Sequence, residues 1–340
     1  MKVLLRSDGN GKIGYGHVSR LNAFAEILGE EYEKIFLTNE NTNLSIINKS
    51  LEIRLLPERL SIEDEVKWMA ENYNSKDNII IADGYQFTSK YQKLIKKKGF
   101  KLIYIDDMVS SHMYADCVIN HAIGVNERQY SGESYVSYFL GPKYSLLRGS
   151  FIKMAQLITE KEIIFQTAFV SFGGTDSSVI ITNAVKALLK FENFKRINIV
   201  VGKSFNDLEM MKFFKKNKRI KLLVDINEET MSEIMKNSDF AFVPSSTISY
   251  ELASARCTIA SGYTTLNQFH IYEGLRKKNV VFEMGDLSNF EESDFQFQIE
   301  KVLSTSVNEI QDKIKSQIKL FDGKQKHRLI NIIKFVTREN

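Results

Sequence analysis

Short runs of Val, Ile and Leu alternate with amphipathic stretches along most of the chain. Lys2–Arg6, Lys34–Thr38, Asn78–Ala82 and Lys101–Ile105 are brief, largely apolar segments of the kind that become strands buried on both faces. Between the first two, Val18, Leu21, Phe24, Ala25 and Leu28 recur at helical spacing and predict a helix with one buried face. The pattern pauses over roughly residues 120–160, where Gly124, Gly132, Gly141-Pro142 and Gly149 gather, and then restarts. Ile163–Phe172, Arg196–Val201, Arg219–Val224, Asp239–Val243 and Thr258–Ala260 again read as strands separated by helical segments. From Ser288 onward helices follow one another, preceded by a short strand at Val280–Glu283. Strand–helix alternation implies parallel sheets covered on both sides and joined by right-handed crossovers. The expected fold is therefore α/β, with two Rossmann-like doubly wound domains facing a cleft. The expected divisions are residues 1–155, 156–320 and a C-terminal helix over 321–340.

Composition narrows the class without changing this picture. The chain has 340 residues, enough for one large core or two of ordinary size. Its 46 Lys and Arg against 42 Asp and Glu leave a net charge of +4, too small an excess over this length for a nucleic-acid footprint. No apolar run approaches the ~18 residues a membrane span needs, so no stable membrane insertion is expected. The opening Met1–Asp8 turns to charge too early for a signal-peptide apolar region, which points to the cytoplasm. Cys117 and Cys257 stand far apart with no metal-ligand spacing and read as small buried hydrophobes.

The densest chemical signal lies between the first strand and the first helix, Arg6-Ser7-Asp8-Gly9-Asn10-Gly11-Lys12-Ile13-Gly14-Tyr15-Gly16-His17. Gly9, Gly11 and Gly14 satisfy the dinucleotide fingerprint G-x-G-x-x-G in letters only. In that fingerprint the first glycine follows the strand directly, whereas here Arg6, Ser7 and Asp8 intervene and the glycines continue to Gly16. The residues instead describe a backbone loop at the carboxyl end of a strand, with a helix starting near Tyr15–His17. Glycines let such a loop approach a ligand closely. A histidine at a helix N-terminus is disfavoured as imidazolium, and a neutral imidazole can serve as a general base. His17 can equally be a plain helix-start residue.

The second half carries two further strand-to-helix loops. Gly173-Gly174-Thr175-Asp176 combines paired glycines with two cap-forming residues. Ser245-Ser246-Thr247 leads into a helix with Glu251 about one turn further on. Hydroxyls beside free helix N–H groups suit a phosphate or diphosphate, and a carboxylate one turn in suits ribose hydroxyls. Ser-Ser-Thr is also an ordinary helix start. The G-x-x-x-x-G-K-[ST] pattern of ATP-hydrolysing loops is absent.

With these motifs in order, the chain resembles the UDP-2,4-diacetamido-2,4,6-trideoxy-β-L-altropyranose hydrolases of pseudaminic acid biosynthesis and the related spore-coat polysaccharide proteins. The matching residues are Arg6-Ser7-Asp8, Ile13-Gly14-Tyr15-Gly16-His17, Asp83-Gly84-Tyr85, Asp106-Asp107, Asp116-Cys117, Gly141–Arg148, Gly173–Asp176, Ser245–Glu251 and Asn267-Gln268. The likeness runs in order from residue 1 to about residue 283, and beyond it this chain carries additional helices. The resemblance implies a glycosyltransferase-B type fold and hydrolysis of a UDP-linked amino-deoxy sugar. It implies that His17 activates a water at the anomeric carbon, with Tyr85 and Asn267 completing the catalytic set. Gly14, Gly16, Arg148, Gly173, Gly174, Thr175, Asp176, Ser245, Ser246, Thr247, Glu251 and Gln268 would hold the UDP-sugar. No cofactor and no metal would be needed, because helix N-termini can meet the diphosphate charge.

Two other functions remain open from the sequence. A UDP-sugar glycosyltransferase would place an acceptor hydroxyl where the hydrolase places water, on the same scaffold. A nucleotide-sugar binding protein without turnover would need the second-half loops but not His17, Tyr85 and Asn267 together.

Overall fold

The first apolar run forms β1 (Lys2–Arg6), and the helically spaced residues after it form α1 (Gly16–Leu28). Val18, Leu21, Phe24, Ala25 and Leu28 are all buried, as their spacing predicts. The structure, a computed structural model, describes residues 1–173, 178–202, 205 and 207–337, with the side chain of Asn267 outside that description. The chain forms two units, Met1–Gly149 with the C-terminal segment from Lys324, and Ser150–Gly323.

In the first unit, β1 and α1 are followed by β2 (Glu33–Thr38), β3 (Glu52–Leu55), α2 (Ile62–Asn72), β4 (Asn78–Asp83), α3 (Ser89–Lys97) and β5 (Lys101–Ile105). Then come β6 (His112–Met113), β7 (Cys117–Asn120), β8 (Ser131–Gly132) and β9 (Ser137–Leu140). The main sheet has the order β3-β2-β1-β4-β5-β7-β9 with every neighbouring pair parallel, and β6 pairs only with β8. Leu4, Ile80, Ala82 and Leu102 from the sheet pack with Val66 and Met69 of α2 and Tyr91 and Ile95 of α3 into one core.

The second unit opens with α4 (Gly149–Leu157), whose first residue falls on the division, then β10 (Thr167–Val170), α5 (Ser178–Leu189), β11 (Arg196–Val201) and α6 (Leu208–Lys216). It continues through β12 (Ile220–Val224), α7 (Glu228–Lys236), β13 (Phe240–Pro244), α8 (Thr247–Ser254), β14 (Thr258–Tyr263), α9 (Leu266–Lys277), β15 (Phe282–Asp286), α10 (Glu292–Ser304) and α11 (Val307–Leu320). Its sheet, β12-β11-β10-β13-β14-β15, is likewise parallel throughout. The last helix, α12 (Gln325–Thr337), buries Leu329, Ile332, Ile333 and Val336 and packs on α1 and on the Pro142–Tyr144 turn of the first unit.

Each sheet therefore grows first to one side of its opening strand and then to the other. This creates a switch point between β1 and β4 in one unit and between β10 and β13 in the other. Ligands in open α/β sheets bind at the carboxyl ends of strands at such points.

Several details depart from the expected pattern. The edge strand β3, Glu52-Ile53-Arg54-Leu55, is mostly exposed and alternates charged with apolar residues, and β9, Ser137-Tyr138-Phe139-Leu140, is a four-residue strand within the glycine-punctuated stretch, so neither stands out as a buried apolar run. β10 is shorter than Ile163–Phe172, and β15 begins two residues later than Val280 would place it. The units divide at 149/150, not 155/156, and α12 rejoins the first unit instead of standing apart as 321–340, because its apolar face is covered by α1.

Candidate active site

At the first switch point the loop after β1 is shaped by its own side chains. Asn10 Oδ1 accepts from Lys12 N at 2.9 Å and Ile13 N at 3.0 Å, and Gly14 N bonds back to Asn10 O at 2.8 Å. Gly14 takes φ +88°, a left-handed conformation that glycine adopts without strain. Gly9 lies so close to α1 that a Cβ there would meet Val18 Cγ2 at 2.7 Å. The loop delivers Gly16 and His17 to the first turn of α1, where no acidic side chain neutralises the helix start.

His17 is 6% exposed, and its Nδ1 lies 2.7 Å from Oδ1 of Asp83, the last residue of β4. Arg20, one turn along α1, grips the same carboxylate through Nε to Oδ2 at 2.7 Å and Nη2 to Oδ1 at 2.6 Å. Its Nη1 reaches Asp107 Oδ2 at 3.1 Å, just past β5. Asp83 is fully buried, which raises its carboxyl pKa. The Arg20 charge and the hydrogen bonds from Arg20 and His17 outweigh that and hold it below its ordinary value. Burial alone would lower Arg20, but Asp83 and Asp107 hold it above its ordinary range. Asp83 is therefore an anion fixed against His17.

The neighbours of this pair are neutral. His121, buried just after β7, is pushed down to about 3 by burial and by the Arg20 charge. Tyr85, half-exposed after β4, sets its ring against His17 edge-on, with centroids 4.7 Å apart at 88°. Burial and the Asp107 charge raise its phenol pKa, so it stays protonated. Asp106 turns the other way and accepts from Tyr130 OH at 2.7 Å and Val109 N at 3.0 Å. Adjacent residues leaving a strand point to opposite sides, which separates Asp106 from Asp107.

Nδ1 of His17 also lies 2.7 Å from Arg20 Nη2. Arginine only donates and carboxylate only accepts, so Nδ1 satisfies one of them at a time. When it donates to Asp83, Nε2 keeps its lone pair and is the basic nitrogen. That is the tautomer logic of a histidine–aspartate base.

A second buried network borders this edge. Arg6 makes a two-point contact with Glu65, Nε to Oε1 at 2.8 Å and Nη2 to Oε2 at 3.0 Å, and meets Asp8 Oδ1 at 2.5 Å. Asp8 also accepts from Asn39 N at 2.9 Å and Gln86 Nε2 at 3.0 Å. Arg6, Asp8, Glu65, Gln86 and Tyr91 line a cavity of about 290 Å³. Asp83, Arg20 and Asp107 carry as much of the constellation as His17 does. Arg20 was missed by sequence reasoning, although its position three residues after His17 puts it on the same helix face.

At the second switch point the chemistry is different. Gly173, just past β10, takes φ +59°, while Gly174, Thr175 and Asp176 lie outside the described residues. Ser245 is fully buried, with its hydroxyl 2.8 Å from that of Ser261 and its N–H bonded to Gly262 O at 2.7 Å. Ser246 N bonds to Ser249 Oγ at 3.3 Å, and Thr247 opens α8. Glu251 is buried one turn further along α8. Asn267 lies in the first turn of α9; beside it, Gln268 Oε1 accepts from Thr264 N at 2.9 Å. Arg148, half-buried, directly precedes α4. Among the described residues, no three His, Cys, Asp or Glu side chains gather as metal ligands, and no helix is long and apolar enough to cross a membrane.

Comparison with solved structures fits this arrangement. MurG of Acinetobacter baumannii superposes over 98% of this chain and 99% of its own, with a TM-score of 0.64 at 11% identity. A glycotransferase of kitacinnamycin matches over 99% of both chains at a TM-score of 0.66 and 9% identity, and a UDP-N-acetylglucosamine 2-epimerase at 0.60 and 12%, covering 98% of this chain and 95% of its own. The fold is of the glycosyltransferase-B type. At such low identity the likeness concerns fold alone. No protein-family model matches the chain. In sequence it is 28% identical, over 82% of its length, to an uncharacterized protein of Methanocaldococcus jannaschii, of which it spans 59%. It is 26% identical to the UDP-2,4-diacetamido-2,4,6-trideoxy-beta-L-altropyranose hydrolase of Campylobacter jejuni, over 83% of this chain and 99% of that protein. It is 23% identical to the spore coat polysaccharide biosynthesis protein SpsG of Bacillus subtilis, over 74% of each. The expected resemblance is thus present across most of the chain.

Proposed function

We propose that this protein is a UDP-sugar enzyme of polysaccharide biosynthesis, and specifically that it hydrolyses a UDP-linked amino-deoxy sugar to UDP and free sugar. The observation that carries the reading is the His17–Asp83 contact at 2.7 Å at the first switch point, locked by Arg20. Names of relatives support the substrate class.

In this reading His17, donating Nδ1–H to Asp83, takes a proton through Nε2 from the water that attacks the anomeric carbon. The developing imidazolium is then offset by Asp83, which stays ionised. Tyr85 borders the imidazole and orients water or sugar, and Asn267 contributes a sugar contact. The Gly14 and Gly16 backbone and Arg148 also serve the sugar end of the substrate. The diphosphate is assigned to the first turn of α8 that Ser246 and Thr247 open, with Gly173, Gly174, Thr175 and Asp176, while Ser245 holds that turn in place through Ser261 and Gly262 O. Glu251 takes the ribose, and Gln268 supports the sugar side. Helix N-termini bind such anions without a cation, so the step needs no divalent metal.

The test is a panel of UDP-sugars with UDP release measured in ¹⁸O-labelled water, with and without acceptor sugars. Hydrolysis at carbon puts the label in the free sugar and none in UDP. Label in UDP, release only with an acceptor, or activity lost in EDTA and restored by Mg²⁺ would each overturn part of the scheme.

A further inference from the structure

The turn after β5 is held more firmly than a link between strands requires. Val109, in that turn, takes φ +54°. A β-branched residue in the left-handed region is a genuine outlier, and such strain persists only where its surroundings over-determine it. Here the surroundings are the Asp106 carboxylate, whose Oδ1 accepts from Met108 N at 3.3 Å and whose Oδ2 accepts from Val109 N at 3.0 Å.

Asp106 is 5% exposed, and the described donors to its side chain are all neutral. Tyr130 OH donates to Oδ2 at 2.7 Å, and Asn120 Nδ2 lies 2.9 Å from that hydroxyl and 3.4 Å from the same Oδ2. The directions are fixed. Asn120 Oδ1 is taken by Ala122 N at 2.9 Å, so Nδ2 faces Tyr130, and the phenol turns its own hydrogen to Asp106. Burial and the Asp106 charge raise the Tyr130 phenol pKa, which keeps that hydrogen in place. The cradle also ties β5 to β7, with Asp106 N bonded to Ile119 O at 2.9 Å.

What the cradle presents is Asp107, which accepts from Arg20 Nη1 at 3.1 Å. Arg20 is then held at three nitrogens, Nη1 by Asp107 and Nε and Nη2 by Asp83, which fixes the guanidinium within its own plane. That matters because Nη2 lies 2.7 Å from His17 Nδ1. While Nη2 is turned to Asp83, Nδ1 can donate to Asp83 and Nε2 is the basic nitrogen. A guanidinium released at Nη1 can turn an N–H toward Nδ1, which then accepts, and the ring proton moves to Nε2.

We propose that Tyr130 and Asp106 are positioning residues that select the tautomer of His17, acting through Asp107 and Arg20. The tautomer is a property of the free protein; its effect on turnover rests on the function proposed above.

The ring nitrogens of full-length protein carrying ¹⁵N-histidine are observed by NMR at alkaline pH, with His17→Asn assigning the His17 signals. The wild type is expected to hold the proton on Nδ1. Tyr130→Phe keeps the ring against Tyr138, at a centroid distance of 4.8 Å, and should move part of the population to Nε2–H. Asp107→Ala should move more of it. With a UDP-sugar that the wild type turns over, Tyr130→Phe should lower kcat about tenfold, the scale of one lost hydrogen bond, with KM and UDP affinity unchanged. Added to Asp107→Ala it should lower kcat no further, whereas its loss of thermal stability should persist. A hydrogen bond that only supports the fold would lower neither the Nδ1–H population nor kcat in this pattern. Should Tyr130→Phe lose its cooperative thermal transition, Asp107→Ala carries the ring measurement by itself. An Nε2–H wild type, an unchanged ring pattern in the folded variants, or equal kcat losses from Tyr130→Phe in the two backgrounds would overturn the proposal. A wild type that releases UDP from no UDP-sugar would instead overturn the function proposed for the site, and the ring pattern would still decide this one.

Discussion

The two units share an all-parallel sheet and a switch point beside the opening strand, yet they furnish those switch points in opposite ways. In the first, His17, Arg20, Asp83 and Asp107 form one buried charged network, with neutral His121 and Tyr85 against it. In the second, the described residues are Gly173 and the hydroxyls of Ser245, Ser246 and Thr247, with Glu251 the acid behind them on α8. The shared topology supplies a place for a ligand; the side chains at two strand ends supply the chemistry. A network of fixed charges can move a proton, while backbone N–H groups and hydroxyls hold an anion. The first arrangement carries a cost in stability, because buried ions are tolerated only while each partner remains.

The sharpest way to break this contrast is His17→Asn. Turnover is expected to fall by ~10²–10⁴, the usual contribution of a general base, while UDP affinity by calorimetry stays within a few fold. A parallel loss of UDP affinity would erase the division of labour between the units.

Asp83→Ala should be the costliest change for folding. It leaves Arg20 buried with Asp107 alone, and removing one partner from a buried ion network costs about 3–5 kcal/mol, read as a lower denaturant midpoint. Matched truncations at Ser245 or Ser246 should cost far less.

Acid should act mainly on the first unit. Asp83 and Asp8 have depressed pKa values, so the stability they contribute is complete above the ordinary carboxylate range and is lost as pH falls through their lower folded values. His121 refuses a proton down to about 3, whereas the unfolded chain accepts one near 6.5; stability should therefore decline as pH drops between those values. His121→Gln should flatten that part of the Tm–pH curve. An unchanged slope would show that His121 does not stay neutral in the folded protein.

Smaller effects test the second unit. Glu251→Ala should weaken UDP by about 1–3 kcal/mol through lost hydrogen bonds from ribose. Ser245→Ala should lower stability by about 1 kcal/mol, because its hydroxyl pairs with Ser261 at 2.8 Å. A tenfold loss of UDP affinity in that variant would instead make Ser245 a ligand contact.

Much of this was legible in the chain. Runs such as Lys2–Arg6 and Arg196–Val201 mark their strands because strands covered on both faces must be apolar throughout. The glycine loop ending in His17 announces a special strand-to-helix turn for the same local reason, as glycine alone adopts φ +88° at Gly14 without strain. The edge strand β3 escapes notice because it is mostly exposed and alternates charged with apolar residues, β9 because it is only four residues long within a glycine-punctuated stretch, and α12 could not be assigned to a unit because an apolar face does not name what covers it.

The site divides along the same line. Sequence determines which residues leave each strand and which share a helix face, so His17 and Arg20 are neighbours by spacing alone. It does not determine that Asp83, 66 positions away, ends the adjacent strand and meets His17 at 2.7 Å. Nor does it determine that Tyr130, 24 positions from Asp106, donates to that carboxylate at 2.7 Å. Strand order is decided by which apolar faces bury one another, a cooperative property of the whole sheet. Only when β4 comes to rest beside β1 do a buried acid, a guanidinium and an imidazole become one group.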